Sequence, residues 1–425
     1  MTITSALTPT ATPEALGFDS GRLGHLDAFL ERYVTAGRMN GWQVAITRHG
    51  ELVHTASGGP RDVEAGLPVT DDTIWRLYSM TKPITAVTAL ALWERGAFQL
   101  TDLVSDYIPS FGDVRVWRGG SLTRPATEGV TEPMRIWHLF THTSGLTYGF
   151  LNAHTVDGLY RAAGFDLAAE PEGLDLAGVC DRLATLPLLF QPGTEWNYGL
   201  SIDVLGRVVE VAAGKPFAEV VQSELLDPLG MIDTAWWCPE PKLDRLAALY
   251  VPTPGSGTGL GGAQAGTALR WDPLGDTIKS PQAATMGGQG LCGTTADYLR
   301  FAGMLAGRGE IDGVRILAPG TVGYMATNHL PGGADLASFG RPLFAETTFD
   351  GTGFGLGVSV MVDPVKAKVP YSVGEFGWGG AASTAFWVDP VLDMTVVFMT
   401  QLLPSDTLPI RPYLRQLIKA AFVGD

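Results

Sequence analysis

The sequence predicts an α+β fold in which both ends of the chain build one antiparallel sheet with flanking helices, and the middle forms an inserted, mostly helical domain. Three observations lead there: strand patterning at 42–56, its return only after residue 350, and helical periodicity with long Pro- and Gly-containing loops between. Residues 19–36 read as a first helix, with Asp19 as N-cap, Leu23, Leu26, Phe29, Leu30 and Tyr33 at helical spacing, and Gly37 to close it. Residues 42–47 and 51–56 alternate like strands around the turn His49-Gly50. From Ser79 to Arg95, the spacing of Ile84, Val87, Leu90 and Trp93 predicts a buried helix ended by Gly96. Further helices are expected at 131–140, 200–213 and 295–305, strands at 355–362, 381–388 and 394–401, and a closing helix at 408–422. The expected division is a flexible terminus at 1–15, an α/β domain from 16–95 with 300–425, and the helical insertion at 96–299. The loops at 111–130, 146–175 and 329–352 are expected to shape a pocket.

Composition narrows the function. With 45% hydrophobic and 17% charged residues, the 425-residue chain can bury a large core. Its formal charge of −15, with no basic run, argues against a nucleic-acid partner. Cys180, Cys238 and Cys292 are far apart and lack CxxC spacing, so neither a disulfide framework nor a zinc site is expected. No apolar run of about 18 residues appears, and the first residues lack a basic segment followed by an apolar one. The chain is expected to be cytoplasmic, without membrane partner, metal or cofactor. The Gly-rich stretch 252–266 lacks a GK[ST] ending and carries no phosphate-loop signal.

The chemistry centres on Ser79-Met80-Thr81-Lys82. On a helix, positions three apart share a face, so the hydroxyl and the amine can meet. A serine hydroxyl needs a base, and a lysine serves only where burial or nearby positive charge lowers its pKa. Pro83 should tighten the turn bearing Ser79, and the free N–H groups at a helix start favour developing negative charge. Alone, S-x-x-K is a weak signal.

Further motifs occur in order: Tyr78-Ser79-Met80-Thr81-Lys82-Pro83, Leu139 to Leu146 (LFTHTSGL), Tyr198-Gly199-Leu200, Gly287 to Leu291 (GGQGL) and Trp378-Gly379-Gly380. Together they resemble the serine β-lactamase-like superfamily, most closely the family VIII carboxylesterases, relatives of class C β-lactamases and D-alanyl-D-alanine peptidases. The resemblance runs from about residue 15 to the C-terminus and implies the β-lactamase-like fold. It implies Ser79 as nucleophile, Lys82 as its partner and Tyr198 as the tyrosine of Y-x-N, passing the serine proton to the leaving group. Which of Lys82 and Tyr198 is the base stays open. It also implies an oxyanion hole from the N–H groups of Ser79 and Ala381, on a strand edging the site, where Gly379 and Gly380 would let substrate approach.

Two positions depart from the β-lactamase pattern. Leu200 replaces the Asn of Y-x-N and Trp378 the Lys of K-T-G. Both losses point from anionic amides towards neutral esters in an apolar pocket, with Trp378, Gly379, Gly380 and Leu200 contacting substrate. A Ser-His-Asp triad competes poorly, because no G-x-S-x-G elbow is present. His138 and His142, four apart, lack the acidic partner of a metal motif, and Trp236-Trp237-Cys238 reads as core or pocket wall. The expected activity is hydrolysis of small carboxylic esters through an acyl-enzyme on Ser79. The alternatives are acyl transfer or weak β-lactam hydrolysis on the same acyl-enzyme, and a non-enzymatic acylated sensor or binding module.

Overall fold

The computed structural model describes residues 7–166, 171–253, 266–341 and 349–424. Helix α1 (Ser20–Thr35) starts where the Asp19 carboxylate accepts the Arg22 N–H at 2.8 Å, satisfying one of the donors a helix start leaves open. Strands β1 (Trp42–Arg48) and β2 (Glu51–Gly58) are joined through His49 and Gly50, both left-handed at φ 52 and 76. That geometry matches the twist of the paired strands. Strand β3 (Ile74–Arg76) leads through a 3₁₀ turn (Tyr78–Met80) into α2 (Thr81–Glu94).

The middle of the chain contributes α3 (Ile136–Phe140), α4 (Ser201–Ala213), β4 (Cys292–Thr294), which pairs with β3, and α5 (Thr295–Ala306). The C-terminal part supplies β5 (Thr352–Phe354), β6 (Ser359–Met361), β7 (Phe376–Gly379), β8 (Ala385–Asp389), β9 (Met394–Thr400) and α6 (Ile410–Ala421). The seven-stranded sheet runs β5-β6-β7-β8-β9-β1-β2 with antiparallel neighbours. The two ends of the chain meet where β9 pairs with β1, Phe398 opposite Val44.

Side chains alternate across a strand, and β9 uses both faces. Val396 and Phe398 join Leu26, Leu30, Leu414 and Ile418 beneath α1 and α6. Val397 and Met399 join the larger core, with Leu299 and Phe301 of α5.

Several expected boundaries move. Of the strand expected at 355–362 only Ser359–Met361 forms, as β6, because Gly357 turns left-handed at φ 82 and gives its N–H to Phe140 O at 3.0 Å. The strand expected from Ala381 begins only at Ala385, since the Gly380 N–H turns back to Thr384 O at 2.9 Å and makes a tight turn there. Within the expected loop at 111–130, Arg115–Ser121 and Arg124–Gly129 form a hairpin. The terminus expected to be loose is anchored from Leu7, which is buried, and Thr10 exchanges two hydrogen bonds of 2.9 Å with the Leu52 backbone. Most of the Gly-rich stretch, 254–265, lies outside the described residues. Among those described, no helix is long and apolar enough to cross a membrane.

Candidate active site

Ser79 is the second residue of the 3₁₀ turn, ahead of its first backbone bond, Met80 N–H to Leu77 O at 3.0 Å. The Ser79 N–H therefore has no place in the helical ladder. Tyr78, immediately before it, is left-handed at φ 45, a conformation that costs a side-chain-bearing residue about 1–2 kcal/mol and persists only where packing enforces it. The enforcing contacts come from distant segments. The Leu77 N–H bonds Leu291 O at 2.8 Å, the Tyr298 hydroxyl donates to Met80 O at 2.9 Å, and the Leu291 N–H reaches Thr81 Oγ1 at 3.3 Å.

Lys82 lies in the first turn of α2 and is 1% exposed. Its Nζ donates to Ser79 Oγ at 3.1 Å and to Gly288 O at 2.8 Å, and sits 4.6 Å from the Tyr198 ring centroid and 5.5 Å from that of Tyr148. A buried ammonium needs such partners. Gly288 is fixed by its N–H to the Asp203 carboxylate at 2.7 Å, and an added Cβ there would collide with that carboxylate.

Tyr198 stands in the loop ahead of α4. Asn197 holds that loop: its N–H bonds His142 O at 3.0 Å, and its amide donates to Leu146 O at 3.2 Å and Tyr198 O at 3.1 Å. The Tyr198 hydroxyl accepts the indole N–H of Trp378 at 3.0 Å. Trp378, expected to contact substrate in an apolar pocket, is also a hydrogen-bond donor to the residue that would move the proton. Ser79, Lys82, Tyr198 and Trp378 are thus brought together, with Ser79, Tyr198, Trp378 and Ala381 lining one cavity of about 90 Å³.

Ala381 is in the β7–β8 turn rather than on a strand. Among the described residues no backbone acceptor takes its N–H or that of Ser79. The α6 residue Arg411 braces this turn by donating to Gly380 O at 2.7 Å and Thr384 O at 3.0 Å. The reason expected for the two glycines changes accordingly. A Cβ at Gly379 would strike the Arg411 guanidinium, and one at Gly380 would strike Leu77 O and Thr384 Oγ1. Their missing side chains admit the protein's own groups, letting β7 close on the Ser79 turn.

Leu200 is the expected contact that the structure does not place at the site. It is 3% exposed, belongs to the main core at the start of α4, and lines neither of the two cavities flanking the Ser79 turn. His138 caps α3 by accepting the Arg135 N–H at 3.0 Å, and burial pushes its imidazole down to about 4. His142 is fully buried against Tyr198, Trp196 and Phe354, and burial followed by the nearby Lys82 cation holds it well below its ordinary range. It is neutral beside the site. Among the described residues no group of three metal-ligating side chains occurs, and Cys238 is buried. Trp236 lines the second cavity.

This arrangement can open an ester or amide by acyl transfer: a hydroxyl with an amine on it, a second hydroxyl lining the same cavity, and two backbone N–H groups that no backbone acceptor takes among the described residues. The comparisons with known proteins agree. The chain belongs to the Beta-lactamase family, whose pattern matches residues 26–420, and it is a serine hydrolase or acyltransferase of that family. It is similar to esterase EstB of Burkholderia gladioli, 34% identical over 408 residues, covering 91% of this chain and 93% of that protein. It is also similar to a lovastatin esterase of Penicillium rubens, 30% identical over 376 residues, covering 86% and 89%. Among solved structures it resembles EstCE1, described as a hydrolase with promiscuous acyltransferase activity, at 28% identity and a TM-score of 0.78, covering 95% and 99%.

Proposed function

We propose that this protein is a serine carboxylesterase that hydrolyses small, neutral carboxylic esters. The observation that carries this reading is the Trp378 indole donating to the Tyr198 hydroxyl at 3.0 Å. It puts a neutral aromatic donor where the resemblance gives β-lactam-binding relatives the lysine of K-T-G. The named esterases among the relatives support the same choice.

In this reading Ser79 Oγ attacks the ester carbonyl while its proton passes into the Lys82–Tyr198 pair. The carbonyl oxygen gains negative charge and is held by the N–H groups of Ser79 and Ala381. The alkoxy C–O bond then breaks, and the pair returns the proton to the departing alkoxide. Water, deprotonated by the same pair, attacks the acyl-enzyme; the bond from the acyl carbon to Ser79 Oγ breaks, the pair returns the proton to Oγ, and the acid is released. The Trp378 N–H steadies charge that builds on the Tyr198 oxygen.

Replacing Ser79 by Ala should abolish turnover of a methyl ester, followed by the acid released, and retained turnover would overturn the assignment. Acyl transfer is the second reading, favoured by the acyltransferase activity in the description of EstCE1. It predicts that adding an alcohol acceptor diverts most of the acyl group into a new ester. A burst that stops after one equivalent would instead mark an acylated sensor.

A further inference from the structure

Two cavities flank the turn that carries Ser79, and they differ about fivefold in size. The smaller, about 90 Å³, is lined by Ser79, Tyr198, Trp378 and Ala381. The larger, about 460 Å³, is walled by Tyr78, Leu174, Trp236, Ile278, Met286 and Leu291. Both belong to one catalytic neighbourhood. Tyr78 precedes the nucleophile, and Gln289 and Gly290 in the larger cavity's wall follow Gly288, whose carbonyl accepts from Lys82.

The tetrahedral intermediate on Ser79 carries three further substituents: the oxyanion, the alkoxy group and the acyl carbon. The oxyanion belongs at the N–H groups of Ser79 and Ala381. The alkoxy oxygen must leave beside the group that protonates it, and Tyr198 lines only the smaller cavity of the two. The acyl arm is left to the other side of the turn, where Tyr78 and Leu291 form the near wall. Resting on the proposed roles of Ser79 and Tyr198, we infer that the enzyme is built for esters of small alcohols with bulky, largely apolar acyl groups.

Size decides the assignment. An enclosed cavity of roughly 150 Å³ holds benzene, so a cleft of about 90 Å³ crowds a six-membered ring, whereas 460 Å³ admits one with substituents. The larger cavity does not favour an anionic acyl chain: its one cation, Arg76, is already committed to Gly275 O, Ala247 O and Gln401, and its wall carries the Glu172 carboxylate.

The test uses two constitutional isomers with unactivated primary or methyl alkoxides: methyl cyclohexylacetate, with the ring on the acyl arm, and cyclohexylmethyl acetate, with the ring on the alcohol. The expected kcat/KM ratio favours methyl cyclohexylacetate by about 10-fold, the scale of discrimination set by fit in an apolar pocket. Ala283 is an exposed residue of the larger cavity's wall, and Ala283→Trp should fill that space and lower the ratio by about 5-fold or more. A ratio at or below unity, or one that Ala283→Trp leaves unchanged, overturns the cavity assignment. Turnover of either isomer by Ser79→Ala, or of neither by the wild type, strikes instead at the esterase reading beneath it.

Discussion

At the scale of single residues, the site depends on contacts between groups that a sequence places far apart. Trp378 and Tyr198 are separated by 180 positions and meet in one hydrogen bond. Trp378→Phe keeps the ring and removes only the N–H. The expected result is a fall in kcat of about 10-fold with KM changed little, since the bond matters most when charge develops on the phenol oxygen. An equal fall in apparent affinity, measured by steady-state kinetics, would make Trp378 a binding residue instead. Lys82→Met should lower kcat/KM by roughly a thousandfold or more, because the hydroxyl then loses the amine that touches it. Ser79, Lys82 and Tyr198 were legible in the sequence because their motifs are local and ordered. Asn197, Tyr298 and Arg411 were not, because each acts through backbone atoms of a remote segment and leaves no spacing pattern. Leu200 was legible as a departure from Asn, but its burial in the core at the start of α4 was not, since motif alignment does not tell which way a side chain packs.

At the scale of elements, the β7–β8 turn and the 3₁₀ turn before α2 form one unit. Gly380 is the point of closest approach, where even a methyl group would meet Leu77 O. Gly380→Ala should push the turn away from Ser79 and lower kcat by about 100-fold, the scale of losing one oxyanion donor, while circular dichroism shows an intact fold. A kcat within threefold of wild type would mean that the turn does not position Ala381 as described. Helix ends and hairpin turns followed from local chemistry: Asp19 caps α1, and His49-Gly50 turns β1 into β2. The shortened strand after Gly357 and the hairpin at 115–129 did not. Gly357 is bent by a bond to Phe140, more than 200 residues away, and the hairpin's Arg- and Gly-rich strands carry almost no apolar alternation.

At the scale of the whole molecule, the sheet that joins both chain ends was readable because strand patterning appears only there, whereas strand order depends on the pairing of β9 with β1 across some 350 residues. The fold also buries bases that must stay neutral. His138 titrates at about 4 in the folded protein because of burial, against an ordinary value near 6.5. A base whose folded pKa is depressed contributes stability that is present above the unfolded value and lost as pH falls through the folded one. For His138 that amounts to about 3 kcal/mol, lost between pH about 6.5 and 4; His142 acts in the same direction. Urea midpoints should therefore fall steeply over that interval, and His138→Asn, which keeps an acceptor for the Arg135 N–H, should flatten the slope. An unchanged slope would place the acid sensitivity elsewhere.

The central claim is that catalysis passes through an acyl group on Ser79. Reaction with a fluorophosphonate, followed by peptide mapping in a mass spectrometer, tests it directly. The account predicts one adduct, on the peptide containing Ser79, with ester hydrolysis lost in proportion to labelling. Labelling at another residue with the same loss of activity, or full activity in a protein fully labelled at Ser79, would contradict it.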